Sequence, residues 1–235
     1  MRDMVGALLS TMPLWQFAVA GLGLALLIVF REAVWEAIAA VARVGIWIGG
    51  TMLFAAAMIV TTEVLLRKIS SALVGTSFVF SGSDEISGYL FAMGTSLSLA
   101  HVLVNRGHVR IDVLYIQFSP QARAIMDIVA LMVMAIFVAA LLERAIDVAT
   151  TSYVEQIRSN TQLRIPLAWS QIPWAFGIAL FFLAILVALI RSIAAIATGD
   201  WAAVNRISGV ATTEEEIETE LKGLDVRTNR PREGA

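Results

Sequence analysis

Along the chain, ionised side chains are absent from four long stretches, reduced to Asp127 in a fifth, and crowd between them. Met4 to Phe30 carries none, and its densest part, Leu14 to Phe30, is interrupted only by Gln16. Further apolar runs lie between Arg43 and Glu63, between Glu85 and Arg106, between Arg123 and Glu143 with Asp127 one turn inside, and between Arg164 and Arg191. A charge-free run of roughly 19 residues measures about 29 Å as a helix, close to the roughly 30 Å hydrocarbon core of a bilayer. The runs are apolar on every face and lack the alternation of a transmembrane strand, so helices are predicted and a barrel is not. The first run continues as Arg31-Glu32-Ala33-Val34-Trp35-Glu36 without an A-x-A cleavage site, and is read as retained.

The connecting segments carry less pattern. Residues 31–43 place Glu32, Glu36 and Arg43 at helical spacing. Two readings fit them: an interfacial helix, or an extension of a neighbouring span beyond the membrane surface. Residues 64–84, with Arg67, Lys68, Gly75 and Ser81-Gly82-Ser83-Asp84, read as a loop with a short amphipathic element around Phe78 and Phe80. Past Arg191 the chain turns polar. Thr212-Thr213 followed by Glu214, Glu215 and Glu216 offers capping boxes for a short acidic helix ending near Lys222. Large apolar side chains are scarce beyond residue 200, so burial there cannot offset the entropy of ordering, and a mobile tail is expected.

Composition agrees with a membrane chain: of 235 residues 58% are hydrophobic and 15% charged, against about 25% charged in soluble domains. A formal net charge of -2 provides no basic field, which removes nucleic acid as a partner and leaves the lipid bilayer. There are no cysteines, so disulfides, thiolate metal sites and iron–sulfur ligation are excluded. Counting Lys and Arg in loops, with the first loop inside, puts Arg31, Arg43, Arg106, Arg110, Arg123, Arg191 and Arg206 in the cytoplasm. Arg2, Arg67, Lys68, Arg144, Arg158 and Arg164 lie outside. This small excess places the C-terminus in the cytoplasm.

Catalytic and cofactor patterns are thin. His101 and Asp127 lie near run ends, where snorkelling or capping competes with a proton-relay role. His101 and His108 have no third ligand at matching spacing. No dinucleotide fingerprint, Walker loop, nucleophile elbow or H-E-x-x-H is present, so no enzyme and no cofactor in this chain are expected. Small residues recur at four-residue spacing: Gly45 and Gly49, Gly94 and Ser98, and Ala92, Ser96 and Ala100. Such spacing lets helix backbones approach, within the subunit or against another membrane protein, with Thr95, Ser96 and Ser98 adding polar contacts. The run Asn105-Arg106-Gly107-His108-Val109-Arg110-Ile111-Asp112-Val113-Leu114 alternates polar and apolar side chains directly after a span. That pattern suits an interfacial element, with a simple positive-inside loop as the alternative.

The segment from Asp84-Glu85 to Arg106-Gly107-His108-Val109-Arg110-Ile111-Asp112 resembles the DctQ-like small membrane subunit of tripartite ATP-independent periplasmic (TRAP) transporters. Arg67 closing one span and Ser119-Pro120 opening another extend the resemblance over roughly residues 45 to 193. So do Ser159-Asn160-Thr161, Leu163 and Ile165-Pro166 before a last span containing Gly177. Two positions depart from it: Gly82 lies where the family often has tryptophan, and Ser98 replaces a glycine. The family is usually described with four spans, so Met4–Phe30 would be an addition.

The expected fold is an all-α integral membrane protein, a four-helix transmembrane bundle plus an N-terminal transmembrane or interfacial helix. Its segments are 1–43, the N-terminal helix and amphipathic stretch; 44–193, the transporter-like domain; and 194–235, the cytoplasmic tail. The resemblance implies a bacterial inner-membrane complex with a large membrane subunit, which would carry the sodium and substrate sites, and a periplasmic substrate-binding protein delivering an organic acid. This chain would be the scaffold, with Arg67, Asp84, Glu85, Arg106, Gly107, His108, Arg110, Asp112 and Pro166 as anchoring or contact positions. Gly45, Gly49, Gly94 and Ser98 would serve helix packing. The competing readings are a stand-alone small channel or exporter, and the anchor of another inner-membrane complex.

Overall fold

The computed structural model describes residues 28–75, 82–107, 118–161, 163–208 and 221. The Met4–Phe30 run lies almost wholly outside the described residues, as do Phe78, Phe80, His108, Arg110, Asp112 and nearly all of the acidic segment 212–222. Five helices are described: α1 Arg31–Val74, α2 Ser83–Val104, α3 Pro120–Val154, α4 Ala168–Ala197 and α5 Trp201–Ser208. Four of them, α1 to α4, are long and apolar enough to cross a membrane. Outside the helices, the described backbone pairs only as an isolated antiparallel bridge between Arg158 and Pro166.

Three helices outrun the hydrocarbon core, the 30 residues of α4 extending about 45 Å and two others further. The 44 residues of α1 extend about 66 Å and the 35 of α3 about 52 Å, so all three must tilt or project beyond a core of roughly 30 Å. Residues 31–43 are therefore an extension of the adjoining span, continuous through positions 43 and 44. The loop expected from residue 64 also begins later. No glycine or proline interrupts residues 51–74, Arg67 bonds back to Glu63 one turn earlier, and the helix stops only where Gly75 takes a left-handed φ of 71°.

The remaining helix ends follow local chemistry. Ser119 caps α3, its hydroxyl accepting from the Ala122 N–H at 3.3 Å, with Pro120 in the first turn. Asp84 and Glu85 occupy the first turn of α2, where the helix dipole favours anions. At its other end the Gly107 N–H reaches the Val102 carbonyl at 2.8 Å and the Arg106 N–H reaches Leu103 at 3.1 Å. This is a Schellman turn in which Arg106, at φ 56°, holds the left-handed position usually given to glycine. The expected tail also starts later: α5 packs across α3 and α4, and Val204 is fully buried with Ala124 and Ile128 beside Trp201. One aromatic and one branched side chain on a single face are enough to dock two turns of helix.

The spans pack side by side in the order α1, α2, α4, α3, with α4 also touching α1. As the most buried span, α4 supplies Ile178, Phe181, Ala184, Ile185, Val187 and Ala188 to the main core. Between α1 and α2 the backbones nearly touch. A Cβ placed on Gly45 would lie 2.7 Å from the Leu97 carbonyl oxygen, and one on Gly49 would lie 2.5 Å from both the Gly94 carbonyl and Ser98 Oγ. A Cβ on Gly94 would reach the Gly49 carbonyl at 2.8 Å. The opposite face of α2 meets α4, where a Cβ on Gly177 would lie 2.6 Å from Ser96. Thus the two small-residue combs of α2, about 200° apart at 94 and 96, serve two different neighbours within this chain.

The hydroxyls do not bridge helices as expected: Thr95 bonds to Phe91, Ser96 to Met93 and Ser98 to Gly94, all carbonyls of their own helix. In lipid a free hydroxyl satisfies itself at the nearest carbonyl, so these residues contribute smallness rather than cross-helix bonds. Asp127, read as either a snorkelling or capping group or a proton relay, is 1% exposed on α3 near the α5 contact, which removes snorkelling.

Candidate functional site: polar ties at the two ends of the bundle

One end gathers the close of α1, the start of α2 and the connection from α3 to α4. Glu63 is buried on α1. The Arg67 guanidinium donates to its Oε1 at 2.7 Å, and the Ser83 hydroxyl, also buried, donates to Oε2. This carboxylate therefore joins the last part of α1 to the first residue of α2. Glu85 makes the second tie: Tyr89 OH donates at 2.7 Å, and Thr161 Oγ1 donates to Oε2 from the α3 to α4 connection. Ser159 and Thr161 hydroxyls lie 2.9 Å apart.

The connection is shaped to present those hydroxyls. Its two sides are paired by Ser159 N–H to Ile165 carbonyl at 2.9 Å and Leu167 N–H to Ile157 carbonyl at 3.1 Å. Gln156 and Arg164 take positive φ, 53° and 48°, at its corners. Leu163 then seats directly on Gly82, whose φ of 119° and lack of a side chain both serve the contact. A side chain at this position would meet Leu163 and sit at a backbone angle that favours glycine.

The other end joins the start of α1 to the end of α4. Arg191 Nη2 lies 3.0 Å from Glu32 Oε2, and its guanidinium stacks 4.7 Å from the Trp35 ring centroid. Nearby, Asn105 Nδ2 lies 2.9 Å from both His101 Nε2 and the His101 carbonyl. Among the described residues no three His, Asp or Glu side chains come together as metal ligands would.

The sequence-selected positions thus separate. Arg67, Glu85 and Pro166 share one end, Arg67 and Glu85 as tie-makers and Pro166 in the bridge that shapes the connection. Asp84 is exposed beside them, its carbonyl accepting from Ser87. Arg106 and Gly107 terminate α2 at the opposite end, and His108, Arg110 and Asp112 lie outside the described residues. Sequence reasoning missed Glu63, Ser83, Tyr89 and the Glu32–Arg191–Trp35 tie. Glu63 four residues before Arg67 was the readable signal; the cross-helix partners left none.

Four apolar helices, packed through glycine contacts and pinned by polar groups at both ends, make this a helical multi-pass membrane protein. Residues 56–195 match the model of the family described as tripartite ATP-independent periplasmic transporters, DctQ component, and the chain belongs to that family. It is the small membrane component of a transport system, a class without catalytic activity of its own. Comparison with curated proteins and with solved structures gave no match.

Proposed function

We propose that this chain scaffolds and anchors the large membrane subunit of a TRAP transporter during sodium-coupled uptake of an organic acid delivered by a periplasmic binding protein. The sodium and substrate sites belong to the large subunit in this reading. The observation that carries it is where the polar groups go: Glu63, Glu85 and Arg191 are spent on tying helices together. Meanwhile α3 turns a stripe of Val129, Val133, Ile136 and Phe137 outward. A body braced at both ends, with an apolar flank, suits a partner that must stay fixed while its neighbour moves.

Affinity purification of the tagged chain from its native membrane in mild detergent, with mass spectrometry of what stays bound, tests this. A larger polytopic protein is expected; a chain that emerges alone and folded removes the scaffold role. Charge reversal at Arg110 or Asp112 is expected to weaken that complex without affecting insertion, and normal co-purification by both variants would take the surface motif out of the interface.

The same reading places the protein in the bacterial inner membrane with the Glu63 end periplasmic and the C-terminus cytoplasmic. Because the chain has no cysteine, Asp84→Cys and Asp200→Cys give clean probes. An impermeant maleimide should label the first from outside and the second only after permeabilisation, and the reverse pattern would invert the topology.

A further inference from the structure

The groove between α1 and α2 at the His101 end takes part in neither set of ties. Its α1 wall, residues 36–54, precedes the family-matched segment 56–195. Two adjoining depressions share Arg43 and His101. The outer, about 370 Å³, is mixed, with Glu36 and Asn105 on its walls beside Ala39 and Val104. The inner, about 660 Å³, continues past Ile46, Trp47, Gly50 and Phe54 and is mainly apolar.

The charges in it are uncompensated. Among the described residues neither Glu36 nor Arg43 makes an ion pair or hydrogen bond, whereas Glu32, one turn from Glu36, is engaged by Arg191. Glu36 and Arg43 are seven apart and share a helix face, separated by about 10 Å along the axis. Arg43 is the last ionised residue before the charge-free run, which sets it at headgroup depth with Glu36 further toward water. From Arg43 to Phe54 the gutter descends about 16 Å, roughly half of a 30 Å core and thus one leaflet. At Gly50 a Cβ would meet nothing within 4 Å, so this part of the groove is open. The Asn105 amide clasps His101 and holds the opposite wall in place.

We propose that this groove binds one glycerophospholipid whose headgroup carries a phosphate and a primary ammonium. The Arg43 guanidinium pairs with the phosphate in the fork geometry such anions favour. The ammonium, which lies outward of the phosphate in such a lipid, donates to the Glu36 carboxylate, and an acyl chain follows Ile46, Gly50 and Phe54. A choline headgroup has no N–H to donate to Glu36, and a glycerol headgroup leaves that carboxylate facing a phosphate without a cation between them.

Native mass spectrometry of the full-length chain in mild detergent tests this, with phosphatidylethanolamine, phosphatidylcholine or phosphatidylglycerol of identical acyl chains added at equal concentration. One retained phosphatidylethanolamine per chain is expected, held about tenfold more tightly than either alternative. Arg43→Ala should lower its retention about tenfold, Glu36→Gln should abolish the preference over phosphatidylcholine, and Gly50→Phe should displace the lipid. After delipidation all three should melt at the temperature of delipidated wild type, since the groove is open. Equal retention of the three lipids by wild type, or unchanged retention in Arg43→Ala, overturns the proposal. So does wild-type protein that retains no lipid, the result expected if residues 4–30 or a partner helix fill the groove instead.

Discussion

At the Glu63 end of the bundle, described carboxylates that enter the helix packing are met by donors from another element: Ser83 for Glu63, Thr161 for Glu85. At the Arg191 end, Glu32 is claimed across helices, while Glu36 and Arg43 on the same helix face an open groove. The difference comes from chain connectivity. The α3 to α4 connection folds back over the first turn of α2 and carries hydroxyls with it, whereas α2 leaves its own lower end by a tight Schellman turn. Among the described residues, one end is thus closed by the protein's own groups, and the other leaves Glu36 and Arg43 without an ion pair.

The two ends can differ in this way only if the spans between them are held rigidly, and this is where the largest effect is expected. Gly49→Leu drives a side chain into the Gly94 carbonyl and Ser98, where backbone must move. A loss of about 3 kcal/mol is expected from overpacking of this kind, read as a fall in melting temperature in detergent. Wild-type melting would mean that the α1 to α2 seam is looser than the geometry implies.

At the closed end, Ser83→Ala removes a buried donor to Glu63 and is expected to cost about 1 to 2 kcal/mol. Asp84→Ala next to it, exposed and outside the ties, should stay within about 0.5 kcal/mol. Equal costs at these adjacent positions would erase the distinction between tie and surface. At the other end Arg191→Ala releases Glu32 and Trp35. Glu32 is 61% exposed, so solvent screens the pair and about 1 kcal/mol is expected, with the cation–π contact the larger share. A cost well above that of Ser83→Ala would reverse the ranking of the two ends.

The smallest effect belongs to Thr161→Val, which cuts the link from Glu85 to the connection but leaves its backbone pairing. Global melting should barely move, while hydrogen exchange at the Ser159 and Leu167 amides quickens because the connection opens locally. Unchanged exchange would show that Leu163 on Gly82 holds this element without the carboxylate.

Legibility followed the range of each interaction. The four described spans match charge-free runs because a helix in lipid must satisfy its backbone within one segment, and that demand is written in consecutive residues. Ser119-Pro120, which the resemblance set at the opening of a span, caps and opens α3. Helix length is not legible at Glu63–Val74, because a charge ends an apolar run without ending a helix: nothing there breaks one, and Glu63 and Arg67 support one another. The docking of α5 was missed because Trp201 and Val204 are too few to register as a pattern, yet they suffice against a surface already formed. Gly45, Gly49, Gly94 and Ser98 stood out by spacing, but spacing names no partner, and Gly177 against Ser96 became visible only when α2 and α4 were side by side.

The order of amino acids alone therefore dictates that the chain makes apolar membrane helices, roughly where each lies, and which positions are small enough for close approach. Which helix meets which, that Glu63 is closed off by Ser83 while Glu36 and Arg43 remain open, and that α4 occupies the centre were decided by tertiary structure. The reason is physical: backbone satisfaction in lipid is local, whereas helix association depends on the mutual fit of surfaces far apart in sequence, which no periodicity encodes.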